Sequence, residues 1–269
     1  MADCLGVATI SDIALVDKVA SSILGELLSR LSKSAPLEFV SLIAPALLLG
    51  NTKIAAHTGA MTPPSGMGVI HEFQLFSRPT THGFTVVSDI TIKHRRNSVG
   101  VVFDFEVGVE GSVASMQTRL RFVTIEEMVA FKGIRFPLKY STDHTIWHKS
   151  QKIKQADVAD YLELARDYNP IHVDYAAARA LGLEGVVLPG MLLCGLAESI
   201  LTTHFCSVWI SQMKCRFMAA VPVGQTVNFG IVPRKHDERG FLNLARIFAV
   251  TEDNVIAAIM DVTCAPNVS

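Results

Sequence analysis

An internal repeat constrains the fold of this chain more than any other feature of its sequence. Residues 71–124 and 213–264 each hold about four segments rich in Val, Ile, Phe and Thr, and these are separated by turns with Gly, Pro and charged residues. The two runs share landmarks in the same order: Pro79, Gly83 and Lys93-His94 in the first, Pro222, Gly224 and Lys235-His236 in the second. Several landmarks in register indicate a duplicated unit.

Helical patterns precede each of the two β runs. Apolar residues recur at helical spacing over residues 12–31, and a second apolar stretch covers 39–56. In the second half, 157–167 reads as a short helix with Asp157 as its N-cap, and 192–205 as a helix buried on nearly all sides. Residues 125–145 read as the connection between the halves. The pattern predicts an α+β fold in which one continuous sheet surface covers two central helices.

Bulk composition excludes several classes of function. Hydrophobic residues make up 49% of the 269 residues and the net charge is -1, so a nucleic-acid partner or an anionic membrane surface is not expected. The most apolar stretch, residues 42–49, is too short to span a bilayer. The N-terminus of the chain has neither a secretory nor a transit pattern, which predicts a cytoplasmic location.

The cysteines form no CxxC pair and are expected to be free thiols: Cys4, Cys194, Cys206, Cys215 and Cys264.

A motif after the predicted helix 157–167 carries the chemistry. Asp167 and His172 flank an Asn-Pro turn, because Pro170 fixes its own φ and keeps Asn169 out of the helical region. A rigid turn can bring a carboxylate and an imidazole to bear on one small molecule, and water is the natural candidate. Alternatively, these are ordinary turn residues, with His172 bonded to a backbone carbonyl.

The string from Asp167 to His172, with Val173-Asp174, an Ala-rich segment and Gly190-Met191 after it, resembles the signature of the MaoC-like, hydratase-2 family. The resemblance implies a hot-dog fold and the hydration of trans-2-enoyl thioesters to (R)-3-hydroxyacyl thioesters, or the reverse dehydration. Residues 66–71 and 77–79 are similar to the N-terminal half of two-hot-dog members, including long-chain 3-hydroxyacyl-thioester dehydratases of the mycobacterial type. A double hot-dog follows, with residues 1–135 as the half without the motif and 136–269 as the catalytic half.

The resemblance also implies roles for single residues. Asp167 and His172 match the catalytic pair, Asn169 matches the residue that shapes the active-site loop, and Gly190 opens the central helix with its N–H facing the thioester carbonyl. A helix N-terminus suits this role, since its unpaired N–H groups stabilise a developing oxyanion. No metal or redox cofactor is implied. The substrate is carried on coenzyme A or acyl carrier protein, and a homodimer is possible.

Two positions depart from the family pattern. Arg166 replaces the Gly that usually precedes the catalytic Asp, and Pro189 replaces a common His before the helix glycine. Arg166 is expected to interact with the Asp167 carboxylate or to crowd the site, and Pro189 to change the loop that delivers the Gly190 N–H. Both changes bear on the choice of substrate more than on the type of reaction.

Other features are open to more than one interpretation. The apolar residues 42–49 are either core or a channel for the acyl chain. Residues 93–96 form a basic cluster that reads as a charged hairpin turn more readily than as a phosphate site. Histidines outside the motif, His57 and His71 among them, are expected to be structural or solvated. Two other functions remain possible: an acyl-thioester-binding subunit without catalysis, and a hot-dog thioesterase.

Overall fold

The computed structural model describes residues 4–11, 18–35, 37, 41–47, 61–78, 87–109, 112–141, 144–167, 169–205 and 208–266. The strands are β1 Cys4–Ser11, β2 Gly68–Ser77, β3 Val87–Arg96, β4 Gly100–Val109, β5 Ser112–Val123, β6 Ile146–Lys149, β7 Val208–Phe217, β8 Asn228–His236, β9 Leu242–Val250 and β10 Ile256–Pro266. The helices are α1 Lys18–Ser32, α2 Ala44–Leu47, α3 Ile125–Ala130, α4 Gln155–Ala165, α5 Tyr175–Ala180 and α6 Gly190–His204.

The ten strands of the described residues form one antiparallel sheet in the order β1-β3-β4-β5-β2-β7-β10-β9-β8-β6. The two halves of the sheet have the same strand order when each is read from the outer edge to the centre. The first half reads β1-β3-β4-β5-β2 and the second reads β6-β8-β9-β10-β7. They join where β2 pairs with β7, with Phe73 opposite Arg216 and Ser77 opposite Gln212. This confirms the duplication and the α+β class. The proposed division after residue 135 lies in the connection between β5 and β6.

The two predicted β runs hold the four strands expected of each, β2 to β5 in the first and β7 to β10 in the second. Among the described residues each half has in addition a fifth strand, β1 or β6, at the outer edge of the sheet. Both lie before the helices of their half and apart from the continuous β runs. A short strand such as β6, with four residues, gives too little alternation to be identified before its partner is known.

Helix α6 is the buried centre of the second half. Every residue from Leu192 to Leu201 is buried, and α1 packs against this helix. Gly195 permits the close approach, since a Cβ there would lie 2.8 Å from side-chain atoms of both Leu28 and Ile43. Burying a leucine side chain contributes roughly 1.5–3 kcal/mol, so the α1–α6 contact is a large part of the core.

A buried ion pair connects α6 with the first half. Arg78, just after β2, donates to the Glu198 carboxylate at 3.1 Å and to the Ile210 carbonyl at 2.7 Å. The same carboxylate accepts hydrogen bonds from the Ser41 hydroxyl and from the Leu42 N–H. The pair is therefore compensated by further hydrogen bonds, as a buried charge requires.

The helix predictions were correct to within a few residues wherever the structure describes them. The helix predicted at 192–205 is α6, and the one at 157–167 is α4, which begins at Gln155. Asp157 as its N-cap was wrong: this residue lies in the first turn, where its carboxylate accepts from the N–H of the capping residue Lys154 at 2.7 Å. Of the stretch 39–56, the structure describes 41–47, with α2; residues 12–17 and 48–60 lie outside the described part.

None of the described helices is long and apolar enough to cross a membrane.

Candidate active site

The active-site loop begins where α4 ends. Arg166 has φ 48° and ψ 41°, the left-handed conformation that glycine adopts most easily at a helix C-terminus. The Asp167 N–H then donates to the Leu162 carbonyl at 3.1 Å, which turns the chain away from the helix axis. This left-handed conformation explains why the family pattern has glycine before the Asp. Arg166 adopts the same backbone conformation, at a steric cost of about 1–2 kcal/mol. Its exposed side chain lines the cavity described below.

The predicted Asn-Pro turn is present, and side chains hold its shape. The Asn169 N–H donates to Asp167 Oδ1 at 3.0 Å, and Asn169 Oδ1 accepts from the Ile171 N–H at 3.4 Å. Asn169 thereby caps a 3-10 turn over Pro170–His172, with the proline at its first position. The carboxylate of Asp167 is thus fixed by the backbone of the loop that carries it.

His172 is held by its Nδ1 atom. Nδ1 lies 2.7 Å from the Val187 carbonyl oxygen, which can only accept, so Nδ1 carries the proton and the lone pair of the neutral ring is on Nε2. Nε2 lies 3.8 Å from Asp167 Oδ2. The bond to a backbone carbonyl expected of a structural histidine is therefore present, and the other nitrogen still faces the carboxylate.

The gap between Asp167 and His172 suits a donor molecule. At 3.8 Å the two atoms are too far apart for a direct hydrogen bond, and with a neutral ring both of them are acceptors. A water molecule or a substrate hydroxyl placed between them can donate to either. The histidine side chain is 8% exposed and the carboxylate 37%, so the pair is open to a ligand on the Asp167 side.

Gly190 begins α6 directly opposite an aromatic ring. A Cβ at this position would lie 2.8 Å from the Phe217 ring, so only glycine permits the observed packing. Pro189 precedes it as an N-cap with φ -61° and has no side-chain hydrogen bond to the helix. The Leu192 N–H donates to the Pro189 carbonyl at 3.1 Å, and the N–H of Gly190 lies at the very start of the helix, where the partial positive charge is concentrated. An anionic oxygen next to Gly190 would be stabilised there.

A cavity of about 660 Å³ brings these groups together. Asp167, Asn169, His172 and Gly190 all line it, and most of its other walls are apolar. The first half contributes walls as well, from β2, β5 and α3. Within the stretch 42–49 the structure describes residues 42–47. Leu42, Ile43 and Ala46 all belong to the hydrophobic core, and Ala46 also lines the cavity.

Two titratable residues that line this cavity were not assigned to the site from the sequence. Tyr161 on α4 lines it, and burial, with the Asp167 charge next in effect, raises the pKa of its hydroxyl well above the usual range. His71 on β2 lines it from the first half, although we expected a structural or solvated residue. Tyr161 is four residues before Ala165, which also lines the cavity, so helical spacing could have placed these two on one face of α4. The sequence puts His71 near a possible pocket wall but does not assign it to the site, because the pairing of β2 with β7 is what brings it there.

Three of the five cysteines expected to be free thiols can be compared with the structure, since Cys206 and the side chain of Cys4 lie outside its described part. Cys194, Cys215 and Cys264 are buried and unbridged. Burial raises the pKa of the Cys215 thiol well above its ordinary range and that of Cys264 to about 12. These two thiols are therefore protonated and poorly nucleophilic at neutral pH.

Fold and cavity together define a double hot-dog protein with its motif loop in the second half. Residues 140–244 match the family described as MaoC like domain, so the resemblance seen in the motif is confirmed for the second half. The chain is 29% identical over 83 residues to the mitochondrial 3-hydroxyacyl-[acyl-carrier-protein] dehydratase of Arabidopsis thaliana. The match covers 30% of this chain and 49% of that protein, so the chain spans about half the length of this relative.

Solved structures extend the likeness to nearly the whole chain. HtdX of Mycobacterium tuberculosis is 17% identical, with a TM-score of 0.66 over 96% of this chain and 99% of its own. Another protein of M. tuberculosis, described as having a double hot-dog fold, is 10% identical with a TM-score of 0.56, over 97% of this chain and 96% of its own. At these identities the likeness establishes the fold, and the fold agrees with the double hot-dog expected from the sequence.

Proposed function

We propose that this protein catalyses the reversible hydration of trans-2-enoyl thioesters to (R)-3-hydroxyacyl thioesters, with one active site per chain in the second half. One observation carries the proposal: Asp167 Oδ2 and His172 Nε2 lie 3.8 Å apart in a mostly apolar cavity at the N-terminus of α6. The names of the MaoC-like domain and of the plant dehydratase support the same class of reaction.

The geometry supports a mechanism centred on one water molecule. Water between Asp167 and His172 attacks C3 and loses a proton to the pair, and the pair delivers a proton to C2 on the same face. Negative charge passes to the thioester oxygen as the C3–O bond forms, and the Gly190 N–H stabilises it. The dehydration reverses each step: a proton leaves C2, hydroxide leaves C3 as water, and the pair returns to its starting state.

His172 is prepared for this role by its contacts. The Val187 carbonyl fixes the tautomer that leaves Nε2 basic, and the His172 carbonyl accepts from Gln155 Nε2 at 2.9 Å, which holds the backbone of the turn. A neutral imidazole can take and return a proton near pH 7. The thioester acidifies C2, so the chain's own groups suffice for the proton transfers, and no metal or redox cofactor enters the proposal.

Incubation of the purified protein with crotonyl-CoA and longer 2-enoyl-CoAs tests the proposal. Hydration lowers the enoyl absorbance and forms the (R)-3-hydroxyacyl product, which chiral analysis identifies. Release of free coenzyme A would indicate a thioesterase. Binding with no turnover, on coenzyme A and acyl carrier protein substrates alike, would indicate a binding subunit. Asp167→Asn serves as the control for a contaminating hydratase.

The carrier of the substrate, the cellular location and the oligomeric state stay predictions. The carrier is coenzyme A or acyl carrier protein, and the plant relative is named for the latter. A cytoplasmic location and a homodimer are predicted from the sequence, whereas the plant relative is named as mitochondrial. Subcellular fractionation and light scattering decide these two points.

A further inference from the structure

A β-bulge directs His71 into the cavity. In the pairing of β2 with β5, His71 lies opposite Leu120 and Phe73 opposite Arg119, so Glu72 is an extra residue on β2. Such a bulge changes the direction of the neighbouring side chains. His71 lines the cavity that also holds Asp167 and His172.

A chain of hydrogen bonds fixes the tautomer of His71. Gln74 Nε2 donates to the Leu75 carbonyl at 3.2 Å, which orients the amide. Gln74 Oε1 then accepts from the Thr118 hydroxyl at 2.7 Å and lies 3.1 Å from His71 Nε2. An amide oxygen only accepts, so Nε2 carries the proton and the lone pair of the neutral ring is on Nδ1.

His71 lies one aromatic ring away from the start of α6. Its ring centroid is 4.4 Å from that of Phe217, and the Phe217 ring is in turn the one that packs against Gly190. Burial lowers the pKa of His71 to about 4, against the opposing effects of its hydrogen bonds to the Gln74 side chain and to the Phe73 backbone, and His172 lowers it further. The ring is therefore neutral at pH 7, with an acceptor nitrogen in a mostly apolar cavity.

His71 is half-buried, so a ligand that fills the cavity shields its acceptor nitrogen from water and must offer a donor in place of water. The enoyl group and the thioester carry no N–H or O–H, and the 3-hydroxyl of the hydrated form lies between Asp167 and His172 in the proposed mechanism. The hydrogen-bond donor nearest to the sulfur on the carrier side is the N–H of the cysteamine amide, which coenzyme A and acyl carrier protein share. We propose, on the basis of the proposed function, that His71 Nδ1 accepts a hydrogen bond from this amide N–H. The half without the motif then recognises the carrier arm.

Two crotonyl thioesters that differ at one atom test this assignment. The N-acetylcysteamine thioester has the amide N–H, and the thioester of 2-acetoxyethanethiol has an ester oxygen in its place. We expect the wild-type kcat/KM to favour the amide by roughly 5- to 100-fold, the range for leaving a buried partner unpaired. In His71→Phe, which keeps an aromatic ring against Phe217, this ratio should fall to about one.

His94→Phe is the matched control. His94 on β3 also stacks on a phenylalanine, Phe103, with centroids 5.3 Å apart, but outside the cavity. This variant should keep the wild-type ratio. An equal ratio in the wild type and in His71→Phe overturns the assignment while leaving the proposed function intact. Failure of the wild type to hydrate either thioester, or crotonyl-CoA, instead overturns the proposed function.

A second measurement needs no variant and so does not depend on folding. In ¹⁵N-histidine-labelled wild-type protein, a non-reactive thioether analogue with the amide should move the Nδ1 resonance of His71. The ester analogue should leave that resonance in place, and both analogues should move the signals of His172. Movement of His172 alone with the amide analogue contradicts the assignment of His71.

Discussion

His172 Nδ1 donates to the Val187 carbonyl oxygen at 2.7 Å, and this bond sets the chemistry of the opposite side of the ring. Val187 is itself held to the motif loop, because its N–H donates to the Ile171 carbonyl at 3.1 Å. The two bonds join the motif loop to the segment that leads into α6. Asp167 and His172 are therefore held in one hydrogen-bonded loop, which is tied to the segment three residues before Gly190, and changes at each of these residues have distinct expected outcomes.

Removing either member of the catalytic pair should abolish most turnover. We expect Asp167→Asn and His172→Ala each to lower kcat by about 10²- to 10⁴-fold, because each removes one group of a proton-transfer pair. The double variant should lose little more than either single one. Stopped-flow or steady-state assays on crotonyl-CoA measure this, with circular dichroism to show retained folding. Near-wild-type hydration by the double variant would place the active site elsewhere.

Arg166→Gly should stabilise the protein. The left-handed backbone of Arg166 is strained for any residue with a Cβ, so glycine should raise the free energy of unfolding by up to about 1 kcal/mol. Glu163→Gly, at an exposed position within α4, is the matched control and should lower it by about 1 kcal/mol. Urea unfolding of the two variants gives both values. A loss of stability in Arg166→Gly would show that its side-chain contacts outweigh the strain.

Gly190→Ala should disturb the start of α6. The new Cβ would lie 2.8 Å from the Phe217 ring, and such overpacking typically costs about 1–3 kcal/mol. Thermal unfolding should show the loss, and Phe217→Leu in the same chain should restore much of it by making room. If the double variant is no more stable than Gly190→Ala, the steric explanation fails.

The lowered pKa of His71 predicts that the free energy of unfolding falls as the pH decreases. The pKa of His71 is about 4 in the folded protein and 6.5 as the ordinary value, so between these values the unfolded chain binds the proton more tightly. Stability should therefore be intact above pH 6.5 and fall as the pH drops toward 4, by about 3 kcal/mol from this group. Urea unfolding of wild type and His71→Phe from about pH 7 to 4.5 measures the difference. Parallel pH profiles would mean that His71 does not titrate in this way.

The preferred acyl-chain length of the substrate should change when Ala46 is replaced by a larger residue. Ala46 is the residue of 42–47 that lines the cavity, so Ala46→Leu should shorten the preferred acyl chain by filling space next to it. Each methylene excluded from an apolar site is worth about 0.8 kcal/mol, and kcat/KM should fall on long enoyl-CoAs while that on crotonyl-CoA stays nearly constant. Leu47→Ala, at the neighbouring position packed against the core, is the comparison. Equal losses on short and long substrates would make this segment ordinary core.

Local sequence determined the parts of the site that depend on near neighbours. Asn169-Pro170 sets a turn through proline geometry and a side chain that bonds two residues ahead, so the sequence alone sufficed to pair Asp167 with His172. The duplication could likewise be recognised, because strand patterns and turn residues repeat in order. The N-cap of α4 could not be identified from the sequence, because Asp157 and Lys154 lie within one turn of each other and only the hydrogen bond in the structure decides between them.

Only the tertiary structure decided which residues of the first half reach the site. His71 lies far along the chain from Asp167, and its place in the cavity depends on the register of β2 with β7 and on the bulge at Glu72. A shift of one residue in that register would turn His71 to the other face of the sheet. Likewise Leu42, Ile43 and Ala46 all belong to the core, and of these three Ala46 also lines the cavity. The apolar composition of this segment suits both places, because burial depends on packing partners from distant parts of the chain.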